Sequence, residues 1–485
     1  MISSPGDGDI RRILERIGQA TPECIAVIQP DGTELRCGEL LQMAQIIADS
    51  IPSGYSRIAI RISNDLSTLV ALHGAWLAGS AVVAISHLVP PDEIDRRLVE
   101  TRSEALLTPD EGLVELTSLA EPKTVKASED ALILFTSGTT GRPKAAVLSA
   151  RALGASLSGV AIGSGVPHHG RPLVDPPRAP SPVFTPLAHM SGVLGVLTPW
   201  YLGKPLMILP RFRSEDVLDL AKSHGFTVLN LTPAMIYDLA YHPDDRSLSA
   251  VRMVCVGTDR LPLATRIRFE DRFGIPVLEN YGQTEFGGAI ALERYDDVLA
   301  GIRPPGSVGR IVPGAEVVIV DRSGSPMAVG DVGEIWARGS SAMSGYLRDS
   351  ASAPDGARDG WIATGDLGSL DENQILTVHG RLRDVVICGG FNVYPAMVES
   401  ALNAVAGVID SAVVGLQDDR LGEVPIAAIV LAPGHMTNVD EVHSQLRSAL
   451  APYEVPRLIV ATAAIPRTGN GKVDRPAVLR LCVEA

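Results

Sequence analysis

The residues best suited to chemistry form one string, TSGTTGRPKAAVLS, at positions 136–149. An apolar segment, residues 131–135, precedes it and predicts a buried strand. Small hydroxyl and glycine residues let N–H and O–H groups close around phosphate oxygens, and a lysine adds positive charge. The string therefore predicts a phosphate-binding loop, made by Thr136, Ser137, Gly138, Thr139, Thr140, Gly141 and Lys144.

This loop differs from the common nucleotide-binding loops. It has neither the Walker spacing G-x-x-x-x-G-K-[ST] nor the dinucleotide pattern G-x-G-x-x-G. The competing interpretation is an ordinary turn, rich in Ser and Gly, between two strands. The length and specificity of the string favour phosphate binding.

Five further strings bring polar residues together in a fixed order along the chain. They are PLAHMSGV at 186–193, NYGQTE at 280–285, TGDLG at 364–368, GRLRD at 380–384 and PRTGNGKVDR at 466–475. Each has a plain structural explanation when taken singly. A lone histidine is usually a core residue, Asp-Gly a turn, and Asn-Gly a hairpin. Their joint presence and order favour a functional interpretation.

In this order, the strings resemble the adenylate-forming superfamily of acyl- and aryl-CoA synthetases, peptide-synthetase adenylation domains and luciferases. The resemblance covers nearly the whole chain. It implies an enzyme that uses ATP and Mg²⁺ to activate a carboxylic acid as acyl-AMP, releases pyrophosphate, and passes the acyl group to coenzyme A (CoA).

The resemblance also implies roles for individual residues. The expected catalytic set is His189 beside the acid, Thr284 at the α-phosphate, Glu285 as the Mg²⁺ ligand, and Lys472 reaching the α-phosphate. The expected nucleotide and CoA contacts are Gly257, Thr258, Asp259, Asn280, Tyr281, Gly282, Asp366, Arg381 and Gly390. Within that set, Tyr281 would stack on adenine, Asp366 would bind the ribose hydroxyls, and Gly390 would let pantetheine pass. Arg383 would occupy the hinge.

One string departs from the superfamily pattern. Residues 257–261 read GTDRL, where acyl-CoA synthetases usually show a string like GGAPL. Asp259 and Arg260 are thus polar where small or neutral residues are common, and the local shape of the pocket is left open.

Net charge, cysteine content and the apolar segments limit the partners and the location to be expected. The formal charge of −14 would repel nucleic acids and anionic membranes, so neither is an expected partner. The five cysteines are scattered, which fits a reduced cytoplasmic location. The apolar segment 69–89 is interrupted by Ser and His, so we expect a buried helix and strand there and no transmembrane segment. A homodimer stays open.

Alternating apolar strands and helical segments predict an α/β fold with two domains. Residues 1–382 are expected to form a large domain of parallel-rich sheets flanked by helices, with a small antiparallel β region at 307–337. Residues 383–485 are expected to form a smaller, mobile α+β domain that carries Lys472.

Three functions remain open at this point. The leading hypothesis is an acyl-CoA ligase for a hydrophobic fatty or aryl acid, because no basic residue near His189, Met235 and residues 287–290 would pair with a second carboxylate. The second is a stand-alone enzyme that loads a carrier-protein pantetheine. The third is a non-catalytic nucleotide-binding protein of the same fold.

Overall fold

The computed structural model describes residues 9–110, 113–119, 129–136, 143–165, 173–174, 177–347, 359–432, 438–467 and 472–485. Part of the predicted phosphate-binding loop falls outside these ranges, namely Ser137, Gly138, Thr139, Thr140 and Gly141. Thr136 and Lys144 lie inside them, at the two ends of that loop.

The strands of the first half are β1 (Ile25–Ile28), β2 (Glu34–Arg36), β3 (Arg57–Ile62), β4 (Ala81–Ser86), β5 (Ala105–Asp110), β6 (Leu113–Ser118), β7 (Asp130–Thr136), β8 (Lys144–Ser149), β9 (Ser181–Val183), β10 (Leu206–Ile208) and β11 (Val228–Leu231). Those of the second half are β12 (Met253–Val256), β13 (Val277–Gln283), β14 (Gly288–Leu292), β15 (Ser307–Ile311), β16 (Ala315–Val320), β17 (Gly333–Gly339), β18 (Gly345–Tyr346), β19 (Ile362–Leu370), β20 (Ile375–Arg381), β21 (Val386–Cys388), β22 (Phe391–Val393), β23 (Val408–Asp418), β24 (Gly422–Leu431) and β25 (Ile459–Ala461).

The α-helices are α1 (Ile13–Ala20), α2 (Cys37–Ser50), α3 (Leu66–Leu77), α4 (Pro91–Thr101), α5 (Ala150–Gly163), α6 (Met190–Tyr201), α7 (Ser214–His224), α8 (Pro233–Ala240), α9 (Leu263–Phe273), α10 (Tyr295–Leu299), α11 (Pro395–Asn403), α12 (Val439–Ala449) and α13 (Arg475–Glu484). Short 3₁₀ helices occupy Ile10–Arg12, Thr284–Phe286 and Leu382–Asp384.

Four sheets organise these elements. One has seven strands in the order β18-β8-β7-β4-β3-β5-β6, and one has nine in the order β11-β12-β13-β14-β15-β20-β19-β17-β16. A four-stranded sheet has the order β2-β1-β10-β9. The fourth sheet, entirely after residue 385, has the order β22-β21-β24-β23, with β25 beside β24. The predicted α/β fold with a smaller C-terminal unit is thereby confirmed.

Local sequence explains the elements that carry the parallel core. The Asp65 side chain accepts the Thr68 backbone N–H at 2.7 Å and caps α3, as a helix start requires. Strands β3 and β4 pair in parallel. The continuous apolar run of β4 and the apolar residues of β3 are buried, whereas Arg61 of β3 is exposed. The segment 69–89 is thus a buried helix and strand, as expected. Within the described residues, no helix is both long and apolar enough to cross a membrane.

The expected antiparallel strands are present and follow the parallel ones. They extend the same sheet that begins with the parallel strands β11, β12 and β13. Strand β13 pairs in parallel with β12 on one edge and in antiparallel fashion with β14 on the other. The sheet therefore changes from parallel to antiparallel at the strand that carries the NYGQTE string.

The C-terminal residues pack around their own hydrophobic cores. One core joins β21, β24, α11 and α12, and a second joins β23, β24 and α13. Tyr241, at the end of α8, packs against the second of these cores. The two parts of the chain are therefore in contact.

Candidate active site

Asp366 is the centre of a polar cluster. It lies inside the long strand β19, which rules out the Asp-Gly turn suggested as the alternative for TGDLG. Its carboxylate accepts hydrogen bonds from the Tyr281 hydroxyl at 2.7 Å and from the Gln283 amide at 2.8 Å. Arg381, its direct cross-strand partner on β20, lies 2.9 Å away.

The electrostatics of this cluster are set by burial. Asp366 is only 4% exposed, and this burial raises the pKa of its carboxyl, while Arg381 and the two hydrogen bonds lower it. Burial and the Asp366 charge raise the pKa of Tyr281 well above its usual value. Tyr281 therefore stays a neutral donor, and its ring is fixed at the end of β13.

Glu285 is held at both its backbone and its carboxylate. It lies in the 3₁₀ turn after β13, which Gly287 ends with φ of 60°. The Met343 N–H donates to the Glu285 carbonyl at 2.8 Å, and the Tyr346 hydroxyl donates to its Oε1 at 2.6 Å. The Lys144 ammonium lies 5.2 Å from the centroid of the Tyr346 ring. Tyr346 thus joins the end of the phosphate-binding string to the predicted metal ligand.

Close packing explains two glycines of the predicted site. The Asn280 amide donates to the Val256 carbonyl at 2.8 Å, and a Cβ on Gly257 would lie 2.5 Å from the Asn280 Oδ1. A Cβ on Gly282 would lie 1.9 Å from the Gly288 carbonyl oxygen, at an irregularity in the pairing of β13 with β14. Both positions exclude larger residues, because backbone or amide atoms occupy the space.

Lys472 lies among the charges of this cluster. Burial lowers the pKa of its ammonium, and so does the charge of Arg381, whereas Asp259, Asp366 and Glu285 raise it. These groups act on Lys472 although it is nearly a hundred residues or more away from each of them in sequence. The C-terminal lysine is thus within electrostatic reach of the cluster that β13, β19 and β20 build.

His189 faces the same region from another direction. It occupies the N-cap position of α6. Surrounding protein atoms lower the pKa of His189, and so do the charges of Lys472 and Arg97. The imidazole is therefore neutral at pH 7, although its surface is open to solvent.

Thr136 and Lys144 pair across β7 and β8, where the Thr136 hydroxyl donates to the Lys144 carbonyl at 3.4 Å. The other residues of the predicted phosphate-binding loop lie outside the described part. Gly390 is exposed and lies in the two-residue turn between β21 and β22. Gly389 and Gly390 have φ of 58° and 87°, so a type I′ turn is a sufficient reason for both glycines.

Comparison with known proteins places the chain in a family. Residues 115–347 match the AMP-binding enzyme family, and residues 397–472 match the AMP-binding enzyme C-terminal domain. A feruloyl-CoA synthase from Amycolatopsis is 30% identical over 494 aligned residues, which cover 96% of this chain and 97% of that protein. An indoleacetate–CoA ligase from Aromatoleum aromaticum is 32% identical over 76% of this chain and 71% of its own length.

A solved structure shows the same architecture. The o-succinylbenzoate-CoA synthetase of Bacillus subtilis, in complex with its acyl-adenylate intermediate, superposes with a TM-score of 0.80. The sequences are 26% identical, and the match covers 96% of this chain and 97% of that one. The chain therefore belongs to the AMP-binding enzyme family, within the adenylate-forming superfamily. It is an AMP-forming ligase of the acid–CoA ligase class.

Some residues of the site were not singled out from the sequence. Tyr346 was missed because the string SGYL has no feature that marks a polar site. Within NYGQTE, the sequence assigns Gln283 no role of its own. Its side-chain amide nevertheless donates to Asp366 and to the Thr364 carbonyl, the latter at 2.9 Å. Strand pairing, which a sequence pattern does not give, decides both contacts.

Proposed function

We propose that this enzyme activates a hydrophobic carboxylic acid with ATP and transfers the resulting acyl group to CoA. The observation that carries the proposal is the position of Lys472, whose ammonium responds to the charges of Asp366 and Glu285. A lysine held there by the C-terminal part would stabilise negative charge that develops between these elements during the reaction.

In the first half-reaction, an oxygen of the acid attacks the α-phosphorus of ATP, the bond to pyrophosphate breaks, and acyl-AMP forms. The protein contributes little covalent chemistry to this step. Catalysis therefore depends on positioning the reactants and on stabilising charge at the phosphoryl oxygens. We assign that task to the Lys472 ammonium and the Thr284 hydroxyl. Thr136 and Lys144, with the loop between them, would hold the other phosphate oxygens.

The nucleoside is expected to lie along β13 and β19. Asp366, which pairs with Arg381 and accepts two hydrogen bonds, would supply acceptors for ribose hydroxyls. Tyr281 offers a ring whose orientation is fixed by its hydrogen bond to Asp366. The GTD residues Gly257, Thr258 and Asp259, packed on Asn280, would border the adenine.

Glu285 fits a magnesium ion. Mg²⁺ prefers oxygen ligands and is usually held by one or two carboxylates together with substrate phosphates. Within the described residues, no three His, Cys, Asp or Glu side chains are grouped so that they could hold a metal ion. We therefore propose a site made of the Glu285 carboxylate together with the ATP phosphates. When bound, the ion would neutralise charge on the phosphates.

The acid is expected to enter beside His189 and α6. The neutral imidazole and the half-buried Leu194 border this side, and Leu194 Cδ1 lies 2.6 Å from where a Cβ on Gly288 would be. These groups suit an apolar acid better than a second carboxylate.

We further propose that residues 1–382 and 383–485 are two domains that change orientation between the half-reactions. The present arrangement, with Lys472 over the site, suits adenylation. Turning about Arg383 would withdraw the lysine and bring the Gly389–Gly390 turn, which is exposed here, toward the site for thiol attack.

A panel of acids tests the substrate class. Straight-chain, branched, aryl and dicarboxylic acids are supplied with ATP, Mg²⁺ and CoA, and AMP release is followed. We expect monocarboxylic apolar acids to give the highest kcat/KM. AMP release that needs a pantetheine-loaded carrier protein in place of CoA would favour the carrier-loading alternative.

Location and assembly complete the proposal. All five cysteines are free thiols, which fits a reducing cytoplasm. A homodimer is testable by light scattering on the purified protein, since a dimer would scatter with twice the chain's 51.2 kDa.

A further inference from the structure

The GTDRL string gains a role from what Arg260 contacts. It follows β12 and turns at Thr258, whose φ of 76° is rare for a β-branched residue. Asp259 accepts the backbone N–H of Arg260 at 2.8 Å through its own side chain. Strain of this kind persists only where the surroundings hold it, which is common at functional sites.

Both side chains act on the C-terminal part of the chain. The Arg260 guanidinium donates a hydrogen bond to the carbonyl oxygen of Ala396, in the first turn of α11. Asp259 is among the acidic groups whose charge acts on Lys472. Arg260 of the N-terminal part therefore bonds directly to the C-terminal part, and the neighbouring carboxylate contributes to the electric field at Lys472.

These contacts depend on how the two parts are oriented. Arg260 precedes Arg383 in the chain, and Ala396 and Lys472 follow it. Helix α11 also lies against β20, where a Cβ on Gly380 would be 3.4 Å from the Ala396 side chain. A turn about Arg383 would carry Ala396 away from Arg260 and break this bond.

We propose that Arg260 is a latch that holds the C-terminal part in the orientation required for adenylation. Arg260 supplies the bond to Ala396, and the Asp259 carboxylate accepts the backbone N–H of Arg260. Arg260 is a positioning residue, and the inference rests on the proposed two-step function. Losing one charge-assisted hydrogen bond at an exposed site shifts such an equilibrium by roughly three- to tenfold.

The two half-reactions, measured separately, test the latch. Acid-dependent exchange of pyrophosphate into ATP reports adenylation, and thioester formation from supplied acyl-AMP and CoA reports the second step. We expect Arg260→Met to slow the exchange about three- to tenfold while thioester formation stays equal or rises. Arg260→Lys, which keeps a donor, should recover part of the loss.

Arg252→Met is the matched control, because Arg252 is an exposed arginine next to the other end of β12. It should leave both half-reactions unchanged. Equal losses in both steps for Arg260→Met, or an unchanged exchange rate, would overturn the latch. If the unaltered enzyme showed no exchange with any acid, the proposed function itself would fail, which is a different result.

Discussion

The hydroxyl of Tyr346 donates a 2.6 Å hydrogen bond to Oε1 of Glu285. Strand β18 carries Tyr346 and pairs with β8, so Tyr346 lies opposite Ala146, two residues after Lys144. The same segment holds the Glu285 carbonyl through the Met343 N–H. The orientation of the proposed metal ligand is therefore fixed by a strand that also borders the phosphate-binding string.

Tyr346→Phe should weaken the use of Mg²⁺ without removing catalysis. Groups that orient metal ligands commonly change metal affinity by about tenfold or more. We expect the Mg²⁺ concentration that gives half-maximal pyrophosphate exchange to rise about tenfold, with near-normal rates at saturating Mg²⁺. Tyr295→Phe, on α10 outside the site, is the control. A deficit that excess Mg²⁺ does not reduce would argue against this role.

Lys472→Ala should separate the two half-reactions. Removing a group that stabilises transition-state charge typically costs about 10²- to 10³-fold in rate. We expect a loss of that size in acyl-AMP formation, and at most a few-fold change in thioester formation from supplied acyl-AMP. Lys222→Ala, on the exposed face of α7, should affect neither step. A matched loss in both would show that Lys472 serves folding or binding instead.

The adenylation rate should fall at alkaline pH as Lys472 loses its proton. Burial and Arg381 lower the pKa of Lys472, so this fall should begin below the pKa of an ordinary lysine. Because the Asp259 charge raises that pKa, Asp259→Asn should move the alkaline limb to still lower pH. The pH profile of kcat for pyrophosphate exchange measures the pH at which this alkaline limb falls. A limb that stays in place or moves upward contradicts the assignment.

His73 should make folding stability depend on pH. It is 0% exposed, its ring lies 5.2 and 5.1 Å from those of Trp76 and Trp200, and neither nitrogen has a hydrogen-bond partner within the described residues. Burial lowers the pKa of His73 to about 3 from the usual 6.5. The unfolded chain therefore binds this proton more readily than the folded protein does.

The lowered pKa of His73 sets the direction in which stability changes with pH. Stability from His73 is complete above the unfolded pKa of 6.5 and is lost as the pH falls from there toward 3. Between pH 7 and 5.5 this one group should reduce the free energy of unfolding by about 1 kcal/mol. His73→Leu, of similar size, should remove that part of the loss. Urea unfolding at both pH values measures it, and identical pH dependence in the two proteins would refute it.

Leu194 should influence which acids are accepted. Gly288 is an unsuitable position for this test, because its φ of 130° would strain any larger residue. Leu194→Ala instead adds space beside Gly288 without changing the backbone. We expect the kcat/KM ratio of a long or bulky acid over a short one to rise by up to about 100-fold. Val329→Ala, an exposed apolar residue, should leave the ratio unchanged.

The sequence predicted the elements of the site better than their contacts. Local patterns of capping and apolar residues predict several elements correctly. These are the capped helix α3, the strands β3 and β4, and the strand before the phosphate-binding string. The superfamily and fold class followed from ordered motifs and are confirmed. The individual roles of the site residues, and the domain boundary, remain predictions.

The sequence did not predict the contacts between distant strands. Tyr346 and Glu285 are joined only because β18 pairs with β8, and Asp366 meets Tyr281 only through the course of the nine-stranded sheet. Periodicity does not encode such register. The role of GTDRL escaped for a similar reason, since Arg260 and Ala396 lie in different parts of the chain.

Acid-dependent exchange of labelled pyrophosphate into ATP, followed by product analysis with CoA, tests the central claim most directly. The account predicts exchange that requires an apolar carboxylic acid and Mg²⁺. On adding CoA, it predicts one AMP and one pyrophosphate for each acyl-CoA thioester. Exchange absent with every apolar acid, or AMP formed without consumption of the thiol, would contradict it.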